Sequence, residues 1–214
     1  PMKLIIFTDL DGTLLDAKTY SFEHALPALE LLKKKQIPLI ICSSKTKSEI
    51  EYYREKLGNT HPFISENGGG VFIPKGYFKS QISNLKFEKN GKYRIIRLGA
   101  KYMDLRDAVK ELQENGFDVK GFGDMTEQEI AKITRLTIRE AIMAKERDFD
   151  EPFIFKGNAG KLFNAIRVKG FNYTQGCFFH ILGNSDKGKA VAILTDIYRE
   201  KFGEIITIAI GDSP

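Results

Sequence analysis

Two carboxylates, Asp9 and Asp11, stand two residues apart one threonine after the apolar run Leu4-Ile5-Ile6-Phe7, and Gly12-Thr13 follows them. A carboxylate where a buried strand runs out needs a partner that offsets its desolvation, usually a cation or a hydrogen-bond network. Three further apolar segments end in comparable chemistry. Residues 37–42 run into Ser43-Ser44-Lys45-Thr46, residues 63–65 into Glu66-Asn67-Gly68, and residues 205–210 into Gly211-Asp212-Ser213. Lys187 opens the amphipathic segment that feeds the last of these. In open parallel sheets, ligands bind in the crevice beyond the carboxyl ends of the strands. Three carboxylates converging there (Asp9, Asp11 and Asp212) suit a hard divalent cation with oxygen ligands, such as Mg²⁺. A lysine and free hydroxyls beside them suit a bound phosphate. Together these groups describe phosphoryl transfer to an aspartate.

Three rival roles for the acidic pair cover less of the pattern. An EF-hand loop needs glycine at its sixth position and glutamate at its twelfth; counting from Asp9, glycine comes fourth and Tyr20 twelfth. A D-x-D pair holding a sugar nucleotide through a metal leaves Gly12-Thr13, the Ser/Lys strand end and Lys187 unexplained. A simple turn, with Asp9 as its cap and Asp11-Gly12 inside it, accounts for one strand end of the four.

The elements that must position these groups follow from the alternation of apolar runs and amphipathic segments, which predicts an α/β fold with parallel strands. Strands are expected at 3–8, 37–42 and 63–65. Helices are expected at 21–35, where Pro27 marks a late start or a kink, and at 47–57. Residues 71–170 differ in character. They hold shorter strands (93–98, 119–122, 153–155) among charged helices (101–115, 126–134, 137–147, 160–168), without the long apolar runs of the flanks. The expectation is a smaller α/β domain at 71–170 inserted into a Rossmann-like parallel-sheet core formed by 1–70 and 171–214. A strand at 177–182, a helix at 187–202 and a strand at 205–210 complete that core.

Composition narrows the function classes. The 214 residues are 42% hydrophobic and 29% charged, with a formal net charge of +5. No apolar stretch reaches membrane-spanning length and no signal-peptide pattern opens the chain, so a cytoplasmic protein without a membrane partner is expected. Cys42 and Cys177 lie in apolar runs without metal-type spacing and read as reduced core residues. The lysines are scattered among glutamates with no basic stripe, which argues against nucleic acid. A mildly positive body suits a small anionic substrate.

DLDGT after an apolar strand, a serine at the second strand end, a lysine near a late helix start, and GDS after an apolar strand resemble the haloacid dehalogenase superfamily of phosphatases. They match its four motifs in order and spacing. The insertion resembles the α/β cap of the superfamily's sugar-phosphatase branch. ICSSKTKSEIEYY, SENGG, IREAIMAKERDFDEPF and HILGNSDKGKA more narrowly resemble the mannosyl-3-phosphoglycerate phosphatase family. The resemblance implies that Asp9 is the nucleophile and a Mg²⁺ ligand. It implies that Asp11 protonates the leaving oxygen, then activates water, and ligates the metal through its carbonyl. Ser43 would bond the phosphoryl oxygens, Lys187 would neutralise charge, and Asp212 would complete the metal site.

The implied reaction is Mg²⁺-dependent hydrolysis of a sugar-linked phosphoglycerate through an aspartyl-phosphate. A broader sugar-phosphate phosphatase or a phosphomutase would use the same residues; a metal-dependent glycosyltransferase or a silenced binding protein is more remote. Substrate contacts are expected from Ser44, Lys45, Thr46, Asn67 and Gly68 in the core, from Arg147 and Glu151 in the cap, and from His180. Thr46 reads equally as a helix cap, Arg147 as half of an ion pair and His180 as a structural histidine. The family pattern continues past Asp212 with another acidic residue, a strand and a helix, so a further C-terminal portion of the core is implied.

Overall fold

The structure is a computed structural model and describes residues 2–78 and 86–212. In chain order its first part comprises β1 (Lys3–Thr8), α1 (Leu26–Lys34), β2 (Leu39–Cys42), α2 (Lys47–Leu57), β3 (Phe63–Ser65), β4 (Gly70–Pro74), β5 (Glu88–Asn90) and β6 (Tyr93–Arg97). Then come α3 (Tyr102–Glu114), β7 (Asp118–Gly121), α4 (Glu127–Thr134), α5 (Ile138–Lys145), β8 (Asp150–Lys156), α6 (Ala159–Val168), β9 (Asn172–Gln175) and β10 (Phe179–Leu182). α7 (Lys187–Phe202) and β11 (Ile205–Ile210) follow. Among the described residues the strands form two sheets, one ordered β11-β1-β2-β3-β4-β6-β5 and one ordered β7-β8-β10-β9.

In the larger sheet β11, β1, β2 and β3 run parallel, so their carboxyl ends share one edge. Strand parity divides its two faces. Ile5, Phe7, Ile40, Ile64 and Val71 pack under α7 with Leu194 and Tyr198. Ile41, Phe63 and Phe72 face the other way, with Ile50 and Tyr53 of α2. Stacked Phe63 and Phe72 rings, with centroids 4.8 Å apart, tie the parallel half to the antiparallel strands beside it.

The sheets divide the chain differently from the expected 71–170. Strands β4, β5 and β6 extend the core sheet by antiparallel pairing, whereas β9 and β10, expected on the core side of the boundary, belong to the smaller sheet. The smaller unit, hereafter the cap, therefore spans α3 to β10. Its two crossings lie side by side: the Leu98 and Gly99 N–H groups both donate to Gly69 O at 2.9 Å, and Gly183 abuts Ala100. Pro27 does mark a late start, since α1 begins at Leu26 with the proline in its first turn. Cys42 is buried, and burial pushes its thiol up to about 12. Cys177 is not a core residue: it is exposed in the turn between β9 and β10. No helix among the described residues is long and apolar enough to cross a membrane.

One pH effect originates away from the carboxyl edge. His61 bonds the Tyr77 hydroxyl at 2.7 Å, which in turn meets Tyr198 Oη at 2.8 Å. Burial first, then Arg54 and Lys3, lowers the His61 pKa from 6.5 to about 4. A folded value below the unfolded one means that the neutral ring's contribution is complete above about pH 6.5 and is lost as pH falls towards 4. Urea midpoints should therefore decline on acidification from pH 7 to 4.5, and His61→Gln should flatten that decline. A His61→Gln profile parallel to wild type would assign the loss to other groups.

Candidate active site

Four side chains meet at the carboxyl edge, Asp9 and Asp11 carried there by the end of β1, Lys45 by the end of β2 and Lys187 by the start of α7. Asp9 follows β1, and its N–H donates to Ile210 O at 3.0 Å, which seats it against β11. Asp9 Oδ1 accepts the Leu10 N–H at 2.7 Å, and Lys187 Nζ pairs with Oδ2. Lys187 is the first residue of α7, a position where the helix dipole disfavours a cation. The Asp9 carboxylate offsets that cost, while Asp186 caps the helix by accepting the Lys189 N–H. Asp11 Oδ2 pairs with Lys45 Nζ at 3.2 Å, and Lys45 also reaches Glu49 Oε1 at 3.4 Å. Burial raises the Asp11 pKa, while Lys45 and its hydrogen bond act in the opposite direction. For Lys45 burial lowers the pKa, but Glu49 and Asp11 outweigh it and the ammonium is held above its usual range.

Ser43 is fully buried, and its hydroxyl accepts the Lys45 N–H at 3.3 Å, leaving its own hydrogen free to donate. Asp11 Oδ1, Thr13 Oγ1 and Ser185 Oγ are buried without a hydrogen-bond partner. Each such atom costs about 1–3 kcal/mol unless a ligand completes it. The glycine of DLDGT also has a geometric reason. Gly12 has φ +69°, and a Cβ there would lie 2.7 Å from Asp212 Oδ2. Its absence lets the Asp212 carboxylate approach the Asp11-Gly12 turn. The lone pairs this edge can offer a metal, on carboxylates and hydroxyls, are all on oxygen, which fits a hard cation. Among the described residues, no three acidic, histidine or cysteine side chains are gathered closely enough to enclose a metal ion.

The remaining expected contacts are placed differently. Thr46 is fully buried and is the N-cap of α2. It accepts the Glu49 N–H and donates to Met143 O at 2.8 Å, so its hydroxyl is committed to capping and to the cap unit. Arg147 is not a free carboxylate clamp. Its Nε donates to Ala144 O at 2.9 Å, and Nη1 donates to Ser44 O at 2.9 Å and to Asp150 Oδ1 at 2.6 Å. Ser44 itself is half-buried and contributes its carbonyl to that bond. Glu151 is buried inside the cap, its carboxylate held by Tyr102, Arg106 and the Gly123 N–H. Asn67 Nδ2 donates to Asp150 Oδ2 at 2.8 Å, and His180 Nδ1 lies 3.0 Å from the same oxygen. Gly68 has no room for a side chain against the Asp186 backbone, and Gly69 and Gly70 leave space for the Phe149 ring. Gly69 and Gly70 thus mark a close approach between core and cap, and Gly68 one within the core.

Sequence reasoning placed Glu66 at the third strand end without giving it a role, and passed over Glu49 and Asp150. Strand parity would have separated Asp150 from Glu151, because neighbouring residues of β8 face opposite sides of its sheet.

A family model for haloacid dehalogenase-like hydrolases matches residues 6–214. A glucosyl-3-phosphoglycerate/mannosyl-3-phosphoglycerate phosphatase of Methanococcoides burtonii is 48% identical over 99% of this chain and 79% of its own length. A mannosyl-3-phosphoglycerate phosphatase of Pyrococcus furiosus is 41% identical over 97% of this chain and 83% of its own. Among solved structures, a phosphatase of the haloalkanoate enzyme superfamily from Bacteroides thetaiotaomicron superposes with a TM-score of 0.64 at 17% identity, covering 96% of this chain and 76% of that one. The chain belongs to the haloacid dehalogenase-like hydrolase family, among its phosphatases.

Proposed function

We propose that this chain hydrolyses mannosyl-3-phosphoglycerate, or its glucosyl counterpart, to the sugar glycerate and phosphate through an aspartyl-phosphate on Asp9. The observation that carries the reading is the Asp9–Lys187 ion pair at the shared carboxyl edge, beside an Asp11 whose Oδ1 is buried without a partner. The relatives' names supply the substrate class.

In the proposed reaction the Asp9 carboxylate attacks phosphorus and the bond to the glycerate oxygen breaks. Asp11, whose burial favours the protonated form, gives that oxygen its proton. Water then attacks the aspartyl-phosphate while Asp11 takes the proton back, which frees phosphate and restores Asp9. Lys187 screens the repulsion between carboxylate and phosphate, and the free Ser43 O–H donates to a phosphoryl oxygen. Asp9, Asp212 and the Asp11 carbonyl would hold Mg²⁺, which when bound supplies further charge neutralisation. An ammonium carries three donors, and the third on Lys45 is the core-side candidate for the glycerate carboxylate.

Phosphate release should be measured on both sugar phosphoglycerates and on simple hexose phosphates, with Mg²⁺ and after exhaustive chelation. One charge-assisted contact to the glycerate carboxylate is worth about 1.5–3 kcal/mol, so kcat/KM should favour the glycerate esters about ten- to hundredfold. Preference for hexose phosphates would replace this reading with a broader sugar phosphatase. Chelation should silence the enzyme and Mg²⁺ restore it; full activity after chelation would remove the metal from the proposal.

A further inference from the structure

Glu66 is fully buried and belongs to none of the chemistry above. Its backbone sits at φ +47° and Asn67 follows at +55°, a left-handed pair that non-glycine residues hold only when their surroundings enforce it. Those surroundings are specific. The Glu66 N–H donates to Lys45 O at 3.0 Å and the Asn67 N–H to Ser43 O at 3.2 Å. In the other direction, Glu66 Oε2 accepts the N–H groups of Asp148, Phe149 and Asp150 at 3.0, 2.7 and 3.0 Å. Arg147 closes the circuit by joining Ser44 O to Asp150 Oδ1.

We propose that Glu66 is a positioning residue. It locks the phosphoryl-site loop of residues 43–45 to the entrance of the cap through one closed ring of hydrogen bonds. The ring runs from the loop to the Glu66 backbone, from its carboxylate to residues 148–150, and through Arg147 back to the loop. Phe149, packed on Gly69 and Gly70, keeps the 148–150 backbone in reach. The loop carries Ser43 and Lys45, and the cap bounds the space left for the leaving group. A rigid link between them fixes where the leaving oxygen lies relative to the phosphoryl site. This rests on the phosphatase reading and deepens it by naming what couples the two halves of the substrate. A leaving group that reaches the cap depends on the link, whereas a small aryl group does not. Displacing a substrate by about 1 Å is sufficient for a hundredfold loss of rate.

Glu66→Ala and Glu66→Gln should be assayed on the sugar phosphoglycerate and on p-nitrophenyl phosphate, with thermal melts. The alanine variant should lose at least about tenfold in kcat on the sugar ester, with p-nitrophenyl phosphate turnover within about twofold of wild type. The glutamine variant keeps one carbonyl oxygen for the three N–H donors but turns its NH2 toward the Asp148 N–H that Oε1 accepts at 3.1 Å, so it should show the same substrate-dependent loss, smaller than in the alanine variant. If the alanine variant does not fold, Glu66→Asp replaces it. That carboxylate is withdrawn by one methylene and should show the same substrate-dependent loss. Equal losses on both substrates, or no loss on either, would overturn the proposal. If wild-type protein ignores the sugar phosphoglycerate but cleaves another sugar phosphate, the substrate assignment fails. The split is then read on that preferred substrate against p-nitrophenyl phosphate, and the role of Glu66 stands or falls by it.

Discussion

Replacing Asp9 with Asn is expected to reduce turnover by at least about 10³-fold, more than about 4 kcal/mol of activation free energy. The carboxamide is isosteric, so the strand end and the Leu10 N–H contact to the side-chain oxygen can persist. What disappears is the charge that attacks phosphorus and the charge that Lys187 faces. The two effects differ greatly in size. The Asp9–Lys187 pair is partly exposed, and such pairs contribute at most about 1 kcal/mol to stability. Thermal melting of Asp9→Asn should therefore lie within a few degrees of wild type while phosphate release vanishes on every substrate. A variant retaining a tenth of the wild-type rate with an unchanged melt would show that no covalent step passes through Asp9. A collapsed melt would instead make the residue structural.

That comparison depends on residues 178 positions apart being brought together, and this much was readable in the chain. Apolar strands do not end in acids, hydroxyls or lysines without reason, and four strands that do so in one parallel sheet must share an edge. Sheet membership was less legible. Val71-Phe72-Ile73 and the residues of β6 look like any short strand, and nothing local says that β4 pairs back onto β3 and β6 onto β4. Pairing partners are set by non-local packing, which a single strand's pattern does not encode. The same limit misplaced β10, whose apolar Ile181 and Leu182 suit either sheet. Within the site, charges at element ends were easier to anticipate than groups bound across to the cap. Asp9 and Asp11 at a strand end and Lys187 at a helix start stand out because a charge placed there needs a physical reason. For Arg147 and Thr46 substrate contact stayed level with an ion pair and a helix cap, because their partners Asp150 and Met143 O lie in segments whose approach the sequence does not reveal. Glu66 was named at the third strand end but given no role, because its carboxylate is satisfied by backbone N–H groups, which carry no side-chain signature.

Asp11→Asn should separate the two half-reactions proposed for the site. With a sugar glycerate the leaving alkoxide needs a proton, so the first step slows when the acid is removed. With p-nitrophenyl phosphate the leaving group departs unprotonated, so Asp9 should still be phosphorylated at close to the wild-type rate. Hydrolysis of the aspartyl-phosphate is the step that then lacks its base. General acid–base assistance of this kind is worth roughly 10²–10⁴ in rate. The expected trace is a burst of nitrophenol stoichiometric with enzyme, followed by a steady rate lower by that factor, with a phosphorylated protein detectable by intact mass. The Lys45 partner makes the control informative. Lys45 Nζ lies 3.2 Å from Asp11 Oδ2, and the substituted carboxamide still offers an oxygen there, so Lys45 keeps a neutral acceptor and its bond to Glu49. A small loss on both substrates with no burst would show that Asp11 only orients Lys45. Unchanged single-turnover hydrolysis would remove it from proton transfer altogether. A burst on the aryl ester, together with a slow first step on the sugar ester, is the pattern that an acid and base at one position must produce.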